Sequence, residues 1–264
     1  MIHAGAREKY RALYHTGEYL DRLCIAEAYA QRILPFIPRG LPVFQSHGPV
    51  HSLAIIRYIN QLILSFPGRF HIKEIFLLYL AAWFHDIGFL HPLSIHDRSR
   101  HPAISAEMIM QDQTISDLLS LSELSDLAVI VRYHDTDADL SQIRTQSSLR
   151  IPLLAGLFRL TDAIDVGNDR CPPEVFTLIK DGLDEHSRRH WKAHQNVTGC
   201  SITYPKITIT IHTQDSPFFL RRIVPHLEDD CRSCGVVCRQ YGITSPDCIL
   251  GRGRGYPGVV TINA

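Results

Sequence analysis

The stretch LYLAAWFHDIG, residues 78–88, places a histidine and an aspartate at the end of an otherwise apolar run. A run that is apolar nearly all round predicts a buried, central helix over about 72–87, and Gly88 then frees the chain to leave that helix. Burying an imidazole beside a carboxylate is costly unless a partner compensates for both, as a divalent cation does. A structural hydrogen bond between His85 and Asp86 is the plainer alternative, because His-Asp is a common dipeptide.

Further histidines and aspartates emerge from apolar helical runs elsewhere in the chain. They are His47 and His51 in SHGPVHSLAII, His101 in HPAISAEMI, His134 with Asp135 in LAVIVRYHD, and Asp162 with Asp165 in FRLTDAID. Residues three or four apart share one helix face, so His47 can pair with His51, and Asp162 with Asp165. Metal sites in helical bundles are built from such side chains on facing helices.

The ordered set of motifs resembles the HD superfamily of metal-dependent phosphohydrolases. The matching segments are HSLAI at 51–55, HDIG at 85–88 and RLTDAID at 159–165, and the resemblance covers roughly residues 45–170. It implies an all-helical, metal-binding fold that hydrolyses a phosphate ester or anhydride. Taken by motif position, it also implies a ligand set, which is His51, His85, Asp86 and Asp162. His47 stays open as the alternative to His51.

The number of metal ions also stays open. Members of the family with a second metal carry two more histidines between the HD pair and the last aspartate, and His101 and His134 stand at those places. With two ions, both histidines become ligands and Asp86 bridges the ions. With one ion, Asp86 orients the attacking water and His101 or His134 donates a proton to the leaving oxygen. The expected cofactor is one or two divalent transition metal ions (Mn, Fe, Ni, Co or Zn), with Mg as a further candidate.

The polar segment 89–100, FLHPLSIHDRSR, is predicted to be a loop beside the metal. Its Arg98 and Arg100 either clamp a phosphate group of the substrate or are simply solvated. The other candidate substrate-binding residues are His47, Asp165 and, for further phosphates, Lys73. The expected substrate is a nucleotide or another small phosphorylated compound.

One departure from the family pattern narrows the choice of substrate. Phe89 stands where the cyclic-dinucleotide phosphodiesterase branch usually has lysine, and the GYP motif of that branch is missing from its place. This argues against a cyclic-di-GMP enzyme. Two rival functions remain, namely an HD-fold di-iron oxygenase with the same ligand pattern, and a non-catalytic ligand-binding HD module in a signalling or defence assembly.

Hydrophobic periodicity predicts a mainly α fold. Helices are predicted over 6–34, 48–65, 72–87, 102–112, 114–120, 123–134, 151–165 and 173–190. The period then changes to that of strands, which predicts a β-hairpin over about 197–211. A helix interrupted near Pro225 and a flexible tail, GRGRGYPG, follow. The expected organisation is an HD-type helical bundle over 1–195 and a small hairpin-plus-helix appendage over 196–264.

Composition limits the partners and the compartment. Lys plus Arg equals Asp plus Glu, 27 each, so the protein has no overall field for strong nucleic-acid binding. The longest apolar run, 75–84, is about half of what a membrane span needs, roughly 20 residues. Seven cysteines, an odd number, together with an N-terminus that lacks a signal-peptide core, favour reduced thiols in the cytoplasm. A homo-oligomer is compatible with all of this.

Two further patterns have structural interpretations. Cys231, Cys234 and Cys238 have the spacing of a metal or cluster motif, but the same spacing is one face of a helix, so packed thiols without metal are expected. The charged run Asp184–His190 is interpreted as a solvated helix face.

Overall fold

The computed structural model describes residues 2–13, 15–37, 47–66, 68–211, 216–252 and 259–262. The fold is mainly α, as predicted, with a small sheet towards the C-terminus. The helices up to residue 195 are α1 Ile2–Lys9, α2 Gly17–Ile33, α3 Pro49–Leu64, α4 Ile72–Phe84, α5 Pro92–His96, α6 His101–Gln111, α7 Gln113–Leu118, α8 Leu121–Arg132, α9 Ile151–Ala163, α10 Pro173–Ile179 and α11 Glu185–Gln195. Within the described part of the chain, no helix combines the length and apolarity needed to cross a membrane.

Two predicted helices are each split in two. The predicted helix at 6–34 breaks between α1 and α2, where the Thr16 hydroxyl donates to the carbonyl of Leu13 at 2.7 Å. The predicted helix at 173–190 breaks between α10 and α11, where the Asp184 carboxylate accepts a backbone N–H of the next turn at 2.6 Å. Short polar side chains that bond to nearby backbone compete with helix continuation and favour a new start.

The predicted loop at 89–100 is also more regular than expected, since it contains α5 and a 3₁₀ turn over Arg98–Arg100. Pro92 occupies the first position of α5, where its missing N–H costs nothing. The predicted connector through Pro38, Gly40 and Pro42 lies outside the described residues.

Helix α4 is the central element, as its apolar sequence predicts. Every side chain from Glu74 to Phe84 is buried, and helices α2, α3, α8 and α9 surround it. His71 and Glu74 close its N-terminus with a reciprocal capping box. At its other end, His85 is the C-cap and Asp86 follows. The HD pair therefore leaves the core helix at the place where the surrounding helices converge.

The chain after residue 195 forms the predicted hairpin, but within a larger sheet. Strands β1 (Val197–Thr203) and β2 (Lys206–Ile211) pair antiparallel. Strand β3 (Asp247–Arg252) then pairs parallel to β2, and β4 (Val259–Ile262) pairs antiparallel to β3. Part of the predicted flexible tail thus belongs to β3, because the open edge of β2 offers unpaired backbone groups. Residues 253–258 of the tail lie outside the described residues.

The C-terminal helix α12 covers Val224–Gln240, after a short turn Ser216–Phe218 and a π-helical turn Phe219–Ile223. The predicted break near Pro225 corresponds to that π turn, since a proline lacks the N–H needed to continue the preceding helical bonds. Helix α12 packs against α9, and its buried side chains join the same hydrophobic core as α4. The boundary at residue 195 stays a prediction.

A buried polar network links α12 to the segment that follows α8. Arg159 of α9 is 1% exposed, and its guanidinium donates to the backbone carbonyls of Tyr133 (2.7 Å) and Ala138 (2.6 Å). The Thr136 hydroxyl donates to one carboxylate oxygen of Asp230 on α12 at 3.1 Å. The other oxygen of Asp230 has no hydrogen-bond partner in the described part of the chain. These contacts set the position of the backbone on either side of His134.

We expect Asp230→Asn to change how stability depends on pH. Burial raises the pKa of Asp230 to about 7, against the opposing effect of Arg159, whereas an unfolded aspartate titrates near ~3.9. Because the folded protein keeps this proton up to about pH 7 and the unfolded chain does not, the wild-type free energy of unfolding falls as the pH rises between the two pKa values. The variant lacks this loss, so from about pH 5 to about pH 8 its stability relative to the wild type should rise by roughly 2–3 kcal/mol. Urea unfolding at both pH values measures the difference, and a difference independent of pH would contradict the expectation.

Candidate metal centre

Four histidines point their Nε2 atoms into one buried site, and each ring is held from behind through Nδ1. The Nδ1 atom of His85 lies 3.2 Å from the carbonyl of Ala81, that of His101 2.7 Å from the carbonyl of Arg98, and that of His134 2.6 Å from the carbonyl of Val131. The Nδ1 atom of His51 lies 2.7 Å from Oδ2 of Asp165. Since carbonyls and carboxylates only accept, Nδ1 of each ring carries a proton, and in the neutral ring Nε2 has the lone pair that a metal can take.

The first cluster brings together residues from α3, α4 and α9. The Nε2 atoms of His51 and His85 are 3.2 Å apart. Asp162 Oδ1 lies 3.0 Å from His51 Nε2 and 3.7 Å from His85 Nε2. Asp86 Oδ2 lies 3.2 Å from His85 Nε2 and 3.7 Å from His51 Nε2. The four residues of the ligand set therefore converge on one point, although they come from three separate parts of the chain.

The second cluster lies on the other side of Asp86. The Nε2 atoms of His101 and His134 are 3.0 Å apart. Asp86 Oδ1 lies 3.4 Å from His101 Nε2 and 3.9 Å from His134 Nε2. The Asp86 carboxylate thus turns one oxygen to each cluster and connects them.

The chemistry of these donors fits a metal ion. Two Nε2 atoms that face each other at about 3 Å repel unless a proton or a metal cation lies between them, because the Nδ1 proton of each ring points away from the site. A cation between them removes the repulsion and compensates the buried carboxylates. Groups of histidine and aspartate that could hold an ion combine His51, His85 and Asp162, and also His85, Asp86 and His134.

The electrostatics of the site favour positive charge. Burial raises the pKa of Asp86, but the surrounding histidines, His85 first, hold it well below its usual range. Burial and Arg170 lower the pKa of His51, yet the carboxylates of Asp162 and Asp165 raise it to about 9. Asp86 is therefore ionised, and a metal cation can replace the proton that His51 otherwise holds between the carboxylates.

His47 contacts the centre through Asp86 and also lies next to Arg170. Its Nδ1 atom lies 2.9 Å from Asp86 Oδ2 and 3.2 Å from Nη2 of Arg170. Burial lowers the pKa of His47 to about 3, so the ring is neutral. His51 lies within 4 Å of His85, Asp86 and Asp162. Of these three residues, His47 contacts only Asp86. His47 also belongs to a possible ion-binding group with His51 and Asp86.

Of the predicted substrate-binding residues, the two arginines lie on the turn beside the second cluster, and Asp165 lies behind His51. The Arg98 guanidinium lies 5.6 Å above the Phe89 ring, and that ring stacks on His101 at 4.0 Å, so Arg98 borders the second cluster. Arg100 is exposed in the same turn. Asp165 is 3% exposed and lies within hydrogen-bond distance of His51, an arrangement that orients the ring, and its contact with substrate stays a prediction.

Lys73 lies at the wrong end of α4 for its predicted role. The helix runs from Ile72 to Phe84, so at 1.5 Å per residue Lys73 is about 18 Å along the axis from His85.

One residue beside the site, Arg170, is not indicated by any pattern in the sequence. Arg170 is 9% exposed, and besides contacting His47 it donates to the carbonyl of Asp165 at 3.2 Å.

The cysteines of α12 are packed against α9 and belong to neither histidine cluster. Cys231, Cys234 and Cys238 are buried against α9, and no possible ion-binding group among the described residues contains a cysteine. The hydroxyl of Tyr204 donates to the sulfur of Cys238 at 3.3 Å. The three thiols are thus packed in the core, and the absence of metal from them stays a prediction.

Comparison with known proteins adds one match. The family model HD-CE matches residues 26–220, a range that contains both clusters, Arg98 and Arg170. No curated protein matches the sequence. The match covers most of the chain and carries the HD motifs at the site described above, and the chain therefore belongs to the HD-CE family.

Proposed function

We propose that this protein is a metal-dependent phosphohydrolase that acts on a nucleotide or another small phosphate ester or anhydride. The observation that carries the proposal is the Asp86 carboxylate, which turns one oxygen to the His51–His85 pair and the other to the His101–His134 pair. Two-metal sites for phosphate chemistry hold their ions about 3.5–4 Å apart, a separation that one carboxylate spans.

The two clusters define the proposed ligands. His51, His85, Asp162 and Asp86 would hold one ion, and His101, His134 and Asp86 would hold a second. Imidazole mixed with carboxylate suits Mn, Fe, Co, Ni or Zn, whereas Mg prefers sites built from oxygen. When bound, such ions lower the pKa of water and neutralise charge on phosphoryl oxygens.

The chain's own residues supply positioning and charge. The backbone carbonyls behind His85, His101 and His134, and the Asp165 carboxylate behind His51, fix the rings in their orientation. Partners of this kind orient ligands and raise their basicity. Arg98 borders the second cluster and can bind a phosphate oxygen. His47 stays neutral, because its pKa is about 3, and can hydrogen-bond to a bound phosphate or water beside Asp86.

The test is a metal-dependent assay of purified protein. Metal-free protein is supplied in turn with Mn, Fe, Co, Ni, Zn and Mg, and the release of phosphate from nucleotides, sugar phosphates and p-nitrophenyl phosphate is measured. Release with at least one ion, and none in chelator, is expected. Dioxygen consumption with the iron form is measured in parallel. Oxygen uptake without phosphate release would favour an oxygenase, and neither activity would favour a binding module.

We expect His134→Ala to lower the metal content from two ions per chain to one. The second cluster has only two imidazoles, and neutral His134, whose pKa burial lowers to about 4, is one of them. Metal analysis of the purified variant measures the loss. The control is His96→Ala, which removes an exposed histidine of α5. A wild type with one ion, and a variant that keeps this ion but loses turnover, would instead make His134 a proton donor.

A further inference from the structure

A cavity with a basic lining lies between α11 and the turn that precedes α12. Its volume is about 490 Å³, and it is lined by Glu185, His186, Arg189, Phe218, Arg221 and Arg222. An adjoining cavity of about 330 Å³ shares four of these residues and adds Lys192. The aromatic ring of Phe218 forms one wall, and cationic side chains form most of the remainder.

The charges of this lining are not balanced. Its one carboxylate, Glu185, is already paired with Arg189 at 2.8 Å and with Arg188 at 3.4 Å. Arg221 and Arg222 are exposed and have no ion pair within the ranges that the structure describes. Two neighbouring arginines to which no carboxylate of the lining is paired suit an anion, and the planar fork of the guanidinium group matches the oxygens of phosphate.

A row of histidines connects this cavity to the metal centre. His186, His190 and His194 are four residues apart and therefore share one face of α11. The His186 ring lies 4.7 Å from the His190 ring, which is 5.0 Å from Phe218. At the other end of the row, His194 is buried and its Nδ1 donates to the carbonyl of Val166 at 2.9 Å. The row covers about 12 Å of helix.

Val166 directly follows Asp165, which orients His51, so the buried end of the row adjoins the first cluster. Arg98, which borders the second cluster through Phe89, also acts electrostatically on His190 of the row. Burial lowers the pKa of His190, and the positive charges of His186, His226, Arg222 and Arg98 lower it further. The charge of Arg98 also acts on Asp86. The guanidinium groups of Arg222 at the cavity and of Arg98 at the second cluster thus both act on the same histidine of the row.

We propose that the cavity lined by Arg221 and Arg222 binds a second phosphate group of the substrate, remote from the phosphate at the metal centre. The substrate class is then a small molecule with at least two separated phosphate groups, or a polyphosphate chain. This inference rests on the proposed function, in which the metal centre takes the phosphate that is cleaved. Phe218 offers an apolar surface for whatever part of the molecule joins the two phosphates.

The test measures binding and turnover separately. Binding of inorganic tripolyphosphate, added as its magnesium complex so that it does not strip the protein's own ions, is followed by calorimetry. The proteins compared are the wild type, Arg221→Gln/Arg222→Gln, and a control, Arg32→Gln/Arg232→Gln, that loses two exposed arginines elsewhere. Circular dichroism checks folding, and Arg222→Gln alone serves if the double variant does not fold.

We expect the Kd of tripolyphosphate to rise by about tenfold or more in the double variant, since each lost charge-assisted hydrogen bond weakens binding, and to change little in the control. Turnover of p-nitrophenyl phosphate, which has one phosphate, should keep its kcat. An unchanged Kd, or no binding by the wild type, would overturn the subsite. Binding that depends on Arg221 and Arg222 in a protein without phosphatase activity would instead overturn the proposed function and leave the subsite standing.

Discussion

Asp86→Ala is expected to remove both metal ions and to reduce activity by more than about 100-fold, because even a partner behind a metal ligand contributes 10–100-fold. Asp86 is 3% exposed, and each of its oxygens faces a different cluster. Without the Asp86 carboxylate, both histidine pairs lose the negative charge that they share and that would balance the charge of a metal cation. The fold should remain helical, since α4 is held by the apolar side chains before His85. Metal analysis, activity and far-UV circular dichroism of the purified variant measure the three effects.

Two further variants make this prediction sharper. Asp86→Asn keeps the shape of the side chain but offers a neutral amide, and it should lose metal like the alanine variant. His85→Ala should empty the first cluster. Asp229→Ala is the control, because Asp229 is an exposed aspartate in a surface ion pair. If Asp86→Ala and His85→Ala both retain full metal and full activity, the site of Asp86 is not the metal centre.

Gly88→Ala is expected to destabilise the protein by about 3 kcal/mol, the upper end of the usual cost of overpacking. A Cβ at this position would lie 2.3 Å from the carbonyl oxygen of His101 and 2.7 Å from the backbone nitrogen of Ser105. Both are backbone atoms of α6, so the helix itself must move. That movement displaces His101, and the second metal ion should be lost together with stability. Urea unfolding and metal analysis measure the two effects.

A matched variant separates this crowding from the general cost of replacing glycine. Gly182→Ala adds the same methyl group where nothing lies within 4 Å, and it should leave stability and metal content nearly unchanged. Adding Ser105→Ala to Gly88→Ala should not restore the protein, because the clash with the carbonyl of His101 remains. Restoration by the double variant would show that the serine hydroxyl, rather than the backbone, sets the limit at Gly88.

Local patterns in the sequence predicted the central helix and the residues of the centre. A long apolar run is buried in almost any fold. For this reason Leu78–Gly88 alone predicts a buried helix with the HD pair at its end. Short motifs in a fixed order predicted which histidines and aspartates to consider. Their convergence agrees with that order, and their roles as ligands and in catalysis stay predictions.

Other features depend on contacts between distant parts of the chain, and only the tertiary structure decided them. The sequence indicates that Gly88 ends a helix, but its small size is required by the close approach of α6, 13 or more residues further along the chain. The sequence predicts that Asp165 contacts the substrate, and the structure adds a hydrogen bond between Asp165 and His51, 114 residues away. Strand β3 pairs with β2 although the whole of α12 lies between the two strands in the sequence. The sequence by itself determined which helices are buried and which of them bear the candidate metal ligands, because burial and helix formation follow local periodicity. The tertiary structure decided which of these groups face one another, because that depends on how helices pack, and packing distances are not encoded in the spacing of residues along one helix.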